Sequence, residues 1–350
     1  MEPDARVPVP RAFGKKGRSF NMSTQLVTGA CGCIGAWVLK TLLEEGHEVV
    51  AFDLSEERHR IDSVLDPDQQ SAIRHIQGDV SDPQQVADAI AACQPRGIIH
   101  LAGMQVPSCK ADPVRGAMVN IVGTLNILEA ARAAGCERVV YASSAAVYGP
   151  PADGDVHAWR EDEARDARTH YGVYKTANEG AARVFWHDHG LSSVGLRPLT
   201  VYGVGRDFGL TSGPTTALKS ALLGRNYEIG FTGPTDFQYV EDIARIFVRC
   251  LDEMPEGAHI FNPHGESMNV AELVTLIDSI LPEDRRGLVS CNGPNLPIPG
   301  CMSGDALSKL MPDVPRTPLA EGLRRTYEQF AALQSAGRLD LRDLPEEVTS

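Results

Sequence analysis

Thr24-Gln25-Leu26-Val27-Thr28-Gly29-Ala30-Cys31-Gly32-Cys33-Ile34-Gly35 is the stretch that decides the fold. Gln25–Thr28 reads as a short buried strand. It runs into glycines at 29, 32 and 35, and Ile34–Glu45 follows with helical spacing until Gly46 stops it. His47–Phe52 is a second strand and closes on Asp53. Strand, glycine loop, helix and strand within about 30 residues form the context that a dinucleotide fingerprint requires.

The glycines have separate tasks in such a loop. Gly29 allows a tight turn, Gly32 lets the backbone approach a pyrophosphate, and Gly35 lets the helix pack closely. Cys31, Cys33 and Ile34 lie between them, where small residues sit under a ligand and the helix start offers free N–H groups to phosphate. A carboxylate at Asp53 accepts from ribose hydroxyls and repels a 2′-phosphate, which favours NAD over NADP. Arg58 and Arg60 could meet a phosphate, but a solvated surface role is expected for both. Asp79-Val80 follows the third strand. There Asp79 could accept from an adenine amino group or cap the helix that starts at Pro83.

Working outward, strands are expected at Ile73–Gln77, Gly97–Leu101, Arg138–Ala142 and Ser193–Arg197. Helices are expected at Pro83–Ala92, Pro113–Ala134 and Tyr171–His189. The alternation implies an α/β fold: a Rossmann-type doubly wound parallel sheet with a smaller C-terminal substrate-binding part. Residues 23–200 are assigned to the NAD-binding domain. Residues 201–335 are assigned to the substrate part, interleaved with the last Rossmann elements. Residues 1–22 combine five Lys/Arg with two acids and three prolines over 1–21 and lack an apolar periodicity, so a disordered extension is expected, with Met22 an alternative start. Residues 336–350 are charged and expected to be a mobile tail.

Composition narrows the partners. The chain has 350 residues and a net charge of −13, which argues against nucleic acid, whose phosphates need a basic face. No apolar run approaches the roughly 20 residues that span a bilayer. Eight scattered cysteines without a Cys-x-x-Cys pair make a metal site unexpected and suit reduced thiols in the cytoplasm.

The chemistry sits further along. Tyr171 and Lys175 are four residues apart and share a helical face. A phenol beside an ammonium loses its proton more readily, and a serine of the pair Ser143-Ser144 could hold a substrate oxygen. At this point the chain resembles the extended short-chain dehydrogenase/reductase family, which includes nucleotide-sugar epimerases and dehydratases. The resemblance rests on TGACGCIG (28–35), HLAG (100–103), the Asn120–Thr124 segment, SSAAVYG (143–149), YGVYK (171–175) and LRPLTVYGVGR (196–206). It implies Tyr171 as general acid/base, Lys175 as the group that lowers its pKa and binds the nicotinamide ribose, and Ser144 as the catalytic serine. It implies Asn120, Pro198 and Val201 on the nicotinamide side. Leu101, Ala102 and Gly103 are expected along the cofactor, and Gln105, Ala145 and Arg206 along the substrate. Tyr148 and Tyr174 are read as packing residues.

The chain departs from the nucleotide-sugar pattern at two places. Thr235 stands where an Arg-Asp-x-x-x-Val-x-Asp segment carries its diphosphate arginine, and the turn Gly293–Gly300 has no arginine. A diphosphate would lose its strongest hydrogen bonds there. The expected substrate is therefore a free carbohydrate or sugar acid. An NAD-dependent dehydrogenase is the leading reading. An epimerase or dehydratase that retains NAD shares every visible residue, and a non-catalytic NAD-binding protein is the third reading. The resemblance also implies a homodimer, paired through the Pro113–Ala134 and Tyr171–His189 helices, with Ala130, Ala131, Ala177, Ala181 and Ala182 permitting close approach.

Overall fold

A computed structural model of the chain describes residues 23–151 and 157–344. The expected extension at 1–22 and the last six residues of the expected tail lie outside the described residues. The strands are β1 (Thr24–Thr28), β2 (Glu48–Asp53), β3 (Ile73–Gln77), β4 (Gly97–His100), β5 (Arg138–Ala142), β6 (Ser192–Leu196), β7 (Thr200–Tyr202), β8 (Tyr227–Ile229), β9 (Pro234–Tyr239), β10 (Ala258–Phe261), β11 (Glu266–Asn269) and β12 (Val289–Cys291). Seven of them form one parallel sheet in the order β10-β6-β5-β4-β1-β2-β3.

Apolar runs in these strands bury both faces. Leu26, Val50, Ile98 and Val139 pack toward the helices Pro83–Cys93, Gly123–Ala134 and His170–His189. Val27, Ala51, Ile99 and Val140 pack toward Cys33–Glu44 and Val240–Asp252. Successive strand residues point to opposite faces, so an uninterrupted apolar run suits a sheet covered twice. The order reverses between β1 and β4. The C-terminal ends of these two strands therefore open the crevice where such sheets take ligands.

The expected helix over Pro113–Ala134 is broken by a π-helical turn, Met118–Val122. Asn120 supplies the reason. Its side-chain Nδ2 donates to the Gly116 carbonyl at 3.0 Å, which draws an acceptor out of the regular ladder. The cap before Pro83 is Asp82, whose carboxylate accepts from the Gln84 and Gln85 amides. Asp79 is thereby freed from the capping role.

The second part is built from two small sheets, β11-β9-β7 and β12-β8. It is interleaved with the first, because β10 returns to pair with β6 as the last strand of the main sheet. Arg138 ties the two together by donating to the carbonyls of Cys250, Leu251, Met254 and Pro255 at the end of the Val240–Asp252 helix. Positive charge is favoured at that end of a helix. The Leu319–Ser335 helix closes the chain. Past it, Arg338 bonds the Asp62 carbonyl, Lys219 pairs with Asp343 at 2.6 Å, and Arg342 reaches Glu57 at 3.3 Å. Among the described residues, no helix is long and apolar enough to cross a membrane.

Candidate active site

A cavity of about 640 Å³ opens over the C-terminal ends of β1, β2, β4, β5 and β6. Of the residues singled out in the sequence, Gly29, Cys31, Gly32, Cys33, Ile34, Gly35, Asp53, Asp79, Val80, Leu101, Ala102, Gly103, Gln105, Ser144, Tyr171, Lys175, Pro198, Val201 and Arg206 all line it. Asn120 lies beneath the wall. Ala145 does not line the cavity. The short turn Ala145–Val147 directs its methyl inward against Val147, Tyr148, Leu199 and Met302, so the expected substrate contact is corrected to a packing role.

At the cofactor end, Gly29 adopts φ +67°, and a Cβ there would lie 2.5 Å from the Ala102 amide. A side chain at Gly35 would collide with the Gly29 carbonyl. The loop therefore closes on its own backbone. Gly32 caps the Cys33–Glu44 helix without a side-chain bond, so the first-turn amides face the cavity. Asp53 accepts from the Cys31 amide at 2.8 Å and the Ser55 amide at 2.9 Å. Burial pushes the thiols of Cys31 and Cys33 up to about 11, so both stay protonated. Asp79 pairs with Arg115 at 2.6 Å and accepts from Ser81. Burial would raise its carboxyl, but these partners hold it below the usual range.

Arg60 is not a solvated surface residue. Its guanidinium forks onto Asp207, with Nη2 at 2.6 Å, and Nη1 donates to the Cys31 carbonyl at 3.2 Å. It joins the glycine loop to the 203–211 loop. His59 also bonds Asp207, at 3.0 Å. Among the described residues, His59, Asp207 and Asp340 are the one group near metal-ligand spacing. Their carboxylates are already paired with Arg60 and Arg342.

The catalytic candidates share one helix and one strand end. Lys175 Nζ donates to the Ala142 carbonyl at 2.7 Å. Ser143 Oγ donates to Glu179 at 2.6 Å. Ser144 shares a hydrogen bond with Tyr171. Three consecutive residues at the end of β5, Ala142 to Ser144, are thus gripped by three positions of the His170–His189 helix. Thr169 caps that helix by accepting from the Gly172 amide at 3.0 Å.

Glu179 anchors the grip. Arg197 meets it at 2.7 Å through both Nε and Nη2, Arg165 adds a bond at 3.0 Å, and Arg197 also donates to the Tyr148 hydroxyl. Tyr174 donates to the Pro113 carbonyl at 2.7 Å. Tyr148 and Tyr174 are both buried.

The charges differ from the simple expectation. Burial pushes the Tyr171 phenol up, and the Ser144 hydrogen bond and the Arg206 charge only oppose it. The Lys175 ammonium sits 5.4 Å from the Tyr171 ring centre and bonds a carbonyl. Burial lowers its pKa to about 8.

Behind Lys175 lies a relay missed in the sequence. Thr124 Oγ1 donates to the Asn120 carbonyl, so it must accept from His100 Nε2–H at 3.0 Å. His100 Nδ1 then accepts from Thr28 at 2.7 Å. Burial holds His100 down at about 3, so this neutral form persists. The relay fixes Asn120, whose Oδ1 is buried beside Gly103 without a partner.

Away from the glycine loop the wall is Leu199, Leu296, Pro297, Ile298, Phe208 and Leu210, with Gln105, Arg206 and Thr211 as polar groups. The 301–303 segment is bonded to Trp159 through backbone contacts at 3.0 and 2.8 Å. Thr235 is buried and shares a 2.7 Å bond with Thr200.

The family described as NAD dependent epimerase/dehydratase matches residues 25–271. The chain belongs to that family. The UDP-glucose 4-epimerase of Mycolicibacterium smegmatis is 31% identical over 258 residues, covering 72% of this chain and 80% of the relative. A probable UDP-glucuronate 4-epimerase of Rhizobium meliloti is 30% identical, covering 66% and 68%. The Thermus thermophilus UDP-glucose 4-epimerase complex with NAD superposes with a TM-score of 0.75 at 25% identity, covering 88% of this chain and 99% of that one.

Membership makes NAD the cofactor, and the residues fit it. The uncapped helix start suits a pyrophosphate, Asp53 suits ribose hydroxyls, and the orphaned Asn120 Oδ1 offers an acceptor at the wall.

Proposed function

We propose that the protein oxidises a hydroxyl of a carbohydrate or sugar acid that carries no nucleotide. Tyr171 is the general acid/base, aided by Ser144 and Lys175. The observation that carries this reading is the substrate end of the cavity. The arginine-free loop enters it as Leu296, Pro297 and Ile298, and Thr235 is turned into the interior against Thr200.

The Gly29–Gly35 loop and Asp53 would hold NAD⁺, which would supply the hydride acceptor for the carbon that bears the hydroxyl. Burial raises the Tyr171 phenol, and the positive charge of NAD⁺ would offset it, so that Tyr171 would take the hydroxyl proton as phenolate. Ser144 holds the substrate oxygen in line with that transfer. Lys175 keeps the end of β5 against the helix through Ala142 and presents its remaining N–H groups to the ribose side. Asp53 selects the cofactor without a 2′-phosphate.

Free sugars, sugar acids and nucleotide sugars should be tested with NAD⁺ while absorbance and products are followed. NADH with an oxidised free carbohydrate is the expected result. The names of the relatives favour a second reading, an NAD-retaining nucleotide-sugar epimerase. Isomerised UDP-sugar without NADH would establish it instead, and micromolar calorimetric binding of UDP would make it the leading reading.

A homodimer is part of the proposal, with a changed surface. Ala130, Ala131, Ala181 and Ala182 pack on the protein's own sheet. Ala177 stands exposed as expected, and with Val114, Leu125, Val173 and Val184 of the same two helices it forms the proposed contact. Light scattering that shows only a species near 38 kDa would reject it. The eight unpaired thiols suit a reducing, cytoplasmic setting.

A further inference from the structure

The segment that follows the last helix crosses from one part of the molecule to the other. On one side it meets Lys219, in the Gly213–Leu222 helix of the second part. Lys219 donates to the Asp340 carbonyl at 3.0 Å and pairs with Asp343 at 2.6 Å. The two side chains of that pair are only 6% and 9% exposed. On the other side Arg338 bonds the carbonyls of Asp62 and Leu65, at the C-terminal end of the His59–Val64 helix, where a cation is favoured. Arg342 reaches Glu57, and Leu339 packs against the core. Residues 338–343 therefore tie the second part to the segment that follows Asp53.

That segment is a rim of the cavity. Glu57, His59 and Arg60 line it beside Asp53 and Ser55. Arg60 carries the connection inward, to the Cys31 carbonyl of the glycine loop and to Asp207. His59 holds Asp207 from the other side at 3.0 Å and lies 3.9 Å from Asp340. The 203–211 loop passes so near that a Cβ on Gly205 would lie 3.7 Å from Arg60 and 3.8 Å from the Cys33 backbone. The His59–Val64 helix has little hold of its own. It is six residues long and buries only Ile61 and Val64. A helix so short is marginal alone, so its braces set its place. The exposed Arg342–Glu57 contact contributes little to them. The buried Lys219–Asp343 pair is the firm anchor, because parting it would leave each charge alone in a poorly solvated place.

We propose that residues 338–343 form a strap that holds the rim of the dinucleotide half closed, so that the cofactor exchanges only when the strap lifts from Lys219. Lifting frees the His59–Val64 helix, and Arg60 with it, to move away from the 203–211 loop. The inference goes beyond the function proposed above and does not depend on the substrate. It has a consequence for either chemistry. An enzyme that releases NADH must lift the strap in every turnover, so the strap sets a ceiling on its rate. An enzyme that returns the hydride can leave it shut.

The test reads cofactor exchange directly in the full-length protein. NADH is bound and then displaced by excess NAD⁺ while its fluorescence is followed. Asp343→Lys sets an ammonium against Lys219 and leaves the body of the protein unaltered. It should raise the dissociation rate by about tenfold or more. Association should quicken as well, so that the affinity measured by calorimetry falls by less than the rate rises. Adding Lys219→Glu to Asp343→Lys restores an opposite pair and should bring the rate back toward the wild-type value. Arg338→Ser should quicken dissociation by a smaller factor. A segment that only braces the fold would lower the melting temperature and leave the exchange rates alone. An unchanged dissociation rate in folded Asp343→Lys would therefore overturn the proposal, as would a faster rate that Lys219→Glu does not slow. If Asp343→Lys does not fold, the exposed Arg338→Ser decides alone, and an unchanged rate there has the same force. Failure to oxidise any carbohydrate would count against the broader reading and leave this measurement intact.

Discussion

Arg197 and Arg206 stand nine residues apart on either side of β7, and their surroundings are opposite. Arg197 is 1% exposed and spends its donors on Glu179, Tyr148 and the Glu161 carbonyl. Arg206 lines the cavity and leaves Nε without an acceptor. A satisfied buried charge organises the protein around itself, whereas an unsatisfied one is organised for something else. The closed region holds the end of β5 in place. The open region faces that fixed end, where the proposed chemistry would take place.

The comparison can be broken by substitution, and the largest effect is expected in the open region. Tyr171→Phe should lower turnover by about 10²–10⁴-fold while NAD binding and thermal stability stay near the wild-type values. Retained activity in a folded Tyr171→Phe protein would remove the phenol from the chemistry. In the closed region the effect should move to stability. Glu179→Gln leaves Arg197 without its buried counter-charge and should cost about 3–5 kcal/mol in denaturant titrations. Arg206→Gln, with no ion pair to lose, should cost no more than about 1 kcal/mol in the same titration. Equal losses for the two would erase the distinction.

Lys175 sharpens the boundary, since it is buried like Arg197 yet served by a carbonyl alone. Its pKa of about 8 lies below the ordinary 10.5. Below pH 8 both folded and unfolded chains hold the proton, and the buried cation destabilises the fold by a constant amount. Between about 8 and 10.5 only the unfolded chain holds it, so this group's contribution to stability rises with pH. Lys175→Met removes the group, so the gain in melting temperature of Lys175→Met over wild type should shrink as pH rises through this window. A constant gap would show that the ammonium is not desolvated. The smallest effect is expected at Asp53. Asp53→Ser should reduce the preference for NAD⁺ over NADP⁺ by roughly tenfold, measured as a kcat/KM ratio. An unchanged ratio would mean that the carboxylate serves only the Cys31 and Ser55 amides.

The open and closed regions were not equally legible in the sequence. β1 to β6 and the long helices followed from apolar periodicity, and the glycine-loop end of the cavity followed from spaced glycines and Asp53. The His59–Val64 helix did not, because it buries only Ile61 and Val64 and so has no period to read. β7 and β9 pair across 37 residues, from Thr200 to Phe237, and neither carries its own turn signal. The Arg60–Asp207 bond spans 147 residues, which is why Arg60 looked like a surface charge. Ala145 adjoins Ser144 in the same motif, and only the direction of the short turn separates a wall residue from a core residue. His100 was visible inside a motif, but its tautomer became evident only when Thr28 and Thr124 were placed on its two sides.

The π-helical turn at Met118–Val122 has a consequence for chain length. A residue advances an α-helix by about 100°. The wider turn therefore sets the phase between Pro113–Ala117, which packs near Tyr174 through Pro113, and Gly123–Ala134, which seats Ile127 and Leu128 on the sheet. A π turn holds one residue more than the α turn it replaces, so removing one residue between 118 and 122 would let an unbroken α-helix form with its two halves still in phase. Ile127 and Leu128 would keep their seats on the sheet, and the loss would fall on the Asn120 carboxamide, which bonds Gly116 and Met104 from within the turn. A single-residue deletion here should thus spare the fold and disturb the cavity wall, because the extra residue serves the site and not the helix.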